Sequence, residues 1–137
     1  MSGALKLLST QTASNSASVE FTSGIDSTYD EYIFYMIDIF PSGSGINFTF
    51  QVNASGGSGF NEAITSTFFG MLHLFSPAST TRIKHFYART NEYFSSSART
   101  LDNFIAGYIN TTTAITEVSF KFASGNMTGN IYMFGVS

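Results

Sequence analysis

Cysteine and tryptophan are absent from this chain of 137 residues, proline occurs twice, and charged residues make up only 11% of it. Without cysteine there is no disulfide framework and no thiolate chemistry, and the redox compartment leaves no mark on the sequence. A typical domain devotes about a quarter of its residues to charge, so this surface has few long ionic side chains. The basic residues are Lys6, Arg82, Lys84, Arg89, Arg99 and Lys121, and the net charge is −3. A nucleic-acid partner would want the opposite sign and a clustered basic face. Long hydrophobic runs are also missing. Asp38 interrupts the longest one, so no segment reads as a membrane span. The opening MSGALKLLSTQTAS has one lysine and too short an apolar stretch for a signal peptide, which gives the expectation of a soluble protein made inside a cell.

What is abundant is small and polar, or aromatic. Ser, Thr and Asn together supply about a third of the chain, well above average usage. Short neutral side chains lose little entropy when covered, so such a surface suits packing against other proteins. Fifteen Phe and seven Tyr add a β-prone aromatic core. The length fits one domain, read as residues 16–137, with residues 1–15 as an N-terminal arm or first strand.

The organising stretch is Glu31–Val52, EYIFYMIDIFPSGSGINFTFQV. It reads as two strands joined by a turn at Pro41–Gly45. In the second, Ile46, Phe48, Phe50 and Val52 share one face and Asn47, Thr49 and Gln51 the other, the alternation of a half-buried strand. In the first, Ile33, Tyr35, Ile37 and Ile39 oppose Tyr32, Phe34, Met36 and Phe40, so both faces are apolar and both should be covered. Further strands are expected at 6–12, 16–22, 70–75, 82–89, 101–109, 114–122 and 131–136, with 53–61 and 91–100 as loops. No segment has helical periodicity. The fold class is therefore all-β, an antiparallel β-sandwich of jelly-roll-like order with about eight strands.

Sites for chemistry are sparse. His73 and His85, with Asp38 or Asp102, lack metal-ligand spacing and read as hydrogen-bonded histidines in or beside a core. Asp26, Asp30 and Glu31 lack the spacing of a calcium loop and read as a solvated acidic turn. The glycines at 56–59 are not followed by Lys-Ser/Thr, no Gly-x-Ser-x-Gly elbow occurs, and no pair of carboxylates recommends itself as acid and base. The expectation is a protein that is not an enzyme and holds no cofactor or metal. Asn-x-Ser/Thr triplets at Asn47, Asn53, Asn110 and Asn126 are what chance supplies in so Ser/Thr-rich a chain. Tyr87, Tyr93 and Tyr108 could stack on sugars, although strand tyrosines more often belong to a core rim or an interface. The residues chosen as a candidate interface are Tyr32, Phe34 and Met36 from the doubly apolar strand and Arg82, Lys84 and Arg89 from the basic one.

Three runs carry a resemblance: ASVEFTSGIDSTYDEYIFYMIDIFP at 17–41, LHLFSPASTTRIKHFYART at 72–90 and DNFIAGYINTTTAITEVSFKFASGNMTGNIYMFGV at 102–136. Together they resemble a family of small β-sandwich structural proteins of tailed bacteriophage virions. Its members open with a Ser/Ala-rich strand and an FTSGIDSTY-like turn, and close with a hairpin like Ser124–Gly135 here. The resemblance implies a virion structural protein without catalytic residues. No coiled or β-helical shaft pattern accompanies it, which favours a capsid decoration (cement) protein over a tail-fibre or spike head that binds host-surface glycan. A decoration protein implies a homotrimer, with the major capsid protein as partner, seated on the capsid surface of a virion assembled in the host cytoplasm. Neither nucleic acid nor membrane is an expected partner.

Overall fold

A computed structural model describes residues 3–43, 45–54, 60, 62–65, 70–94 and 98–137. Among them are ten strands: β1 (Leu5–Ser16), β2 (Val19–Phe21), β3 (Glu31–Pro41), β4 (Phe48–Ala54), β5 (Glu62–Thr65), β6 (Gly70–Phe75), β7 (Lys84–Phe94), β8 (Arg99–Ile109), β9 (Ile115–Phe122) and β10 (Met127–Val136). They form a six-stranded sheet in the order β1-β10-β3-β6-β7-β8 and a four-stranded sheet in the order β2-β9-β4-β5. Every pairing is antiparallel. With the β7–β8 hairpin set aside, this is the jelly-roll order: the first and last strands pair, and successive strands cross from sheet to sheet except at the β4–β5 pair.

The one strand beyond those expected is β5, which forms from 62–65; 91–100, expected to be a loop, lies largely within the β7–β8 hairpin and lengthens both of its strands. Asn, Glu and Ala depress β-propensity there, but pairing along the whole of β7 from Lys84↔Ile109 to Phe94↔Arg99 outweighs it. The expected loop at 53–61 falls mostly outside the described residues. The turn after Pro41 does not close a hairpin: β3 and β4 lie in opposite sheets, and the turn carries the chain between layers. It docks on the turn before β10, where Ser42 N–H donates to Asn126 O at 2.8 Å and Asn126 N–H donates to Ser42 Oγ at 3.0 Å.

The inward faces meet in an aromatic core. Phe21 and Phe34 make an edge-on contact at 5.3 Å across the sandwich, and Phe50 meets Phe86 edge-on at 5.2 Å. Such pairs add about 0.5–1.5 kcal/mol each beyond the area they bury. Gly107 on β8 leaves the space Phe86 needs, since a Cβ there would lie 2.7 Å from the Phe86 ring. Tyr32, Phe34 and Met36 are part of this core, at 0%, 0% and 7% exposure. They are therefore interior residues, and the expectation that they form an interface is corrected.

The alternation in β3 breaks at a bulge. Asn130 pairs with Ile37 and Thr128 with Phe40, so Asp38 and Ile39 together oppose Gly129. Asp38 has φ 53° and Gly129 φ 135°. The extra residue swaps the faces beyond it: Ile39 turns into the core at 6% exposure, while Phe40 turns out at 55%. The FTSGIDSTY segment before β3 is a docked turn. Ile25 is buried, Thr28 N–H donates to Asp26 Oδ1 at 2.8 Å, and the Tyr32 hydroxyl donates to Asp26 O at 3.0 Å.

Candidate interaction face

A sheet that faces water on one side normally alternates apolar-in with polar-out. The four-stranded sheet does this. Its outer rows run Glu20–Ser119–Gln51 and Lys121–Thr49 across β2, β9 and β4. Thr49 Oγ1 donates to Lys121 O at 3.1 Å, and Asn53 Nδ2 donates to Glu117 Oε2 at 2.8 Å.

The outer face of the six-stranded sheet is different. One row passes through Leu7, Phe134, Ile33, His73, Tyr87 and Ala106, and the next through Thr10, Tyr132, Tyr35, Met71, Arg89 and Phe104. The rings on it contact one another. His73 stacks on Tyr87 at 4.2 Å and Tyr87 on Phe104 at 5.5 Å, while Tyr35 meets Phe134 edge-on at 5.5 Å. Large side chains remain open to solvent at both margins: Leu5 and Leu7 on β1, and Phe104 (70% exposed) and Tyr108 (59%) on β8. Ile37 and Phe40 extend the open apolar surface along the end of β3.

The charges on this face are paired within it. His73 Nδ1 pairs with Glu31 Oε1, and His73 Nε2 lies 3.1 Å from Met71 Sδ. Arg89 Nη2 bonds Asp102 Oδ2 at 2.8 Å, with Nε reaching Oδ1 at 3.3 Å. That hydrogen bond holds the Asp102 carboxyl below its ordinary range and lifts the Arg89 guanidinium above its own. An exposed pair of this kind adds little stability. Its consequence is local neutrality.

The expected basic face does not assemble. Arg82 is exposed on the loop before β7, Arg89 is engaged by Asp102, and Lys84 lies wholly inside. Lys84 falls on the inward parity of β7 with Phe86 and Ala88, and its ammonium donates to Ser79 O at 2.6 Å, Arg82 O at 3.0 Å and Thr111 O at 3.2 Å. All three protons are therefore used, and burial lowers the pKa of the amine from its usual value. Beside this clamp is an open concavity lined by Thr80, Thr112, Thr113 and Ala114, none of them ionisable.

The residues considered for metal or calcium chemistry are dispersed. His73 is held by Glu31, His85 lies opposite Tyr108, Asp102 is held by Arg89, and Asp38 sits in the bulge. Asp26 is occupied by its own turn, which lowers its pKa chiefly through the hydrogen bond from Thr28. Among the described residues no group of three or more His, Asp or Glu could hold a metal ion. Of the tyrosines considered for stacking, Tyr108 is open, Tyr87 is half-buried, and the Tyr93 side chain lies outside the described residues. No helix among the described residues is long and apolar enough to cross a membrane. The open residues of the outer face had a visible signal: Phe104 and Tyr108 oppose Leu101, Ile105 and Ile109 along β8, so this strand too is apolar on both faces.

Comparisons with known proteins add no relative: no family model, no curated protein and no solved structure matches the chain.

Proposed function

We propose that this chain is a structural protein of a tailed-bacteriophage virion, a capsid decoration (cement) protein that binds the outer surface of the shell as a trimer and stabilises it. The phage assignment rests on the sequence resemblance. The observation that carries the structural role is the outer face of the six-stranded sheet, which is apolar, sparsely charged and open at its margins, in a molecule whose other sheet carries polar side chains on its outer face. A face of that kind is an assembly surface. A decoration protein acts by binding the assembled shell in preference to its free subunits, so modest contacts repeated over a lattice suffice and no reaction is required.

A second reading, the head of a tail fibre or spike that binds host-surface glycan, draws on a different feature of the same face. Phe104 and Tyr108 present open rings at its margin, and sugars stack on such rings. The number of copies per purified virion, set against the major capsid protein, tests the one against the other.

A further inference from the structure

We infer that the outer face of the six-stranded sheet is where copies of this chain meet one another. This rests on reading that face as an assembly surface and is independent of where in a virion the protein sits.

The argument begins with size. Six strands at about 4.8 Å spacing, about ten residues long on average with β6 shorter at six, give a face of roughly 900 Å². A stable protein interface takes about 800 Å² from each partner, so the face is as large as one subunit contact requires. The second argument is charge. A foreign partner selected by electrostatics would need an unpaired charge to read. The polar groups described here are partnered within the face: Glu31 with the His73 ring, and Arg89 with Asp102. A face with so few charges, each partnered within it, can meet a copy of itself with little like-charge repulsion, a condition that any contact of this face with itself must satisfy.

The third argument is the distribution of what is open. Leu5 and Leu7 lie at the β1 margin, and Phe104 and Tyr108 at the β8 margin. Each copy thus offers an aliphatic edge and an aromatic edge on one surface, so that a second copy laid on the face covers both margins at once. Large exposed aromatics of this type are the residues that dominate interface energetics once desolvated.

The test is the mass of the purified protein in solution, by light scattering or sedimentation, for the wild type and three variants. Phe104→Glu and Leu7→Lys each place a charge on an open margin position where the monomer makes little use of the side chain. Glu20→Lys changes charge on the outer face of the other sheet. The expected result is a wild type whose mass is a whole multiple of the chain's, with Glu20→Lys the same. Phe104→Glu and Leu7→Lys should fall to the mass of one chain with unchanged circular dichroism. A wild type that stays monomeric at 100-fold dilution and at the highest soluble concentration alike overturns the inference, as does association that both margin variants retain. A monomer found in lattice-scale numbers on virions would sink this inference and leave the decoration reading standing. An oligomer absent from capsids would do the reverse.

Discussion

Lys84 is the residue whose role depends most on its surroundings. In the sequence it sits in a basic strand; in the fold it is a buried cation bonded to three backbone carbonyls, two from the loop before β7 and one from the segment after β8. It ties the two ends of the β7–β8 hairpin to each other. Lys84→Met keeps the stem and removes the donors, leaving three carbonyls to find new partners, and is expected to cost about 3 kcal/mol. Urea denaturation, read as a lower midpoint at unchanged slope, checks it. On the acid side of the stability curve Asp26 contributes, and the exposed Asp102 more weakly, because both carboxyls are held below their ordinary 3.8 in the folded chain. Below 3.8 the unfolded chain binds more protons than the folded one, so their contribution is fully present above that pH and is lost as pH falls through the lowered folded values. Asp26→Asn should therefore be less stable than wild type at pH 6 and lose less stability between pH 4 and pH 2, measured by thermal melts across that range.

At the scale of elements, the bulge in β3 decides which aromatic side chains face out. Gly129 accommodates it, with φ +135° and a virtual Cβ only 2.5 Å from Asp38 O and 2.7 Å from Ile39 Cδ1. Gly129→Ala combines backbone strain with a clash against main chain and is expected to destabilise the fold by about 2–3 kcal/mol. A chemical-denaturation midpoint close to the wild-type value would remove the bulge from this account. The same element marks the limit of what alternation can reveal. Period-2 reading placed Phe48, Phe50 and Val52 inward correctly, because β4 keeps its register with β9 throughout that stretch. It grouped Ile39 with Ile37 and Phe40 with Met36, because one extra residue reverses the parity and nothing in the local sequence announces it. The doubly apolar character of β3 was legible, but its assignment of faces was not: Tyr32, Phe34 and Met36 look equally suited to a core and to an interface until the second sheet is in place. Lys84 was misread for a related reason. A lysine on the inward parity is exceptional, and only the carbonyls of loops distant in sequence make it tolerable.

The whole molecule is a sandwich with two unlike outer surfaces. The small sheet ends in Glu, Gln, Ser, Thr and Lys, polar throughout, although Ser119 and Thr49 are themselves buried. The large sheet ends in stacked rings, aliphatic margins and polar groups partnered with one another, the composition that the proposed assembly surface calls for. The proposed function rests on that asymmetry together with the resemblance of the sequence runs, and its central claim is that the protein decorates an assembled shell. The measurement that tests this most directly is quantitative mass spectrometry of purified virions, counting this protein against the major capsid protein. The account predicts copies on the order of hundreds, in fixed proportion to capsid subunits, as symmetric occupation of a lattice requires. A handful of copies matching the symmetry of the tail, or none at all, would contradict it.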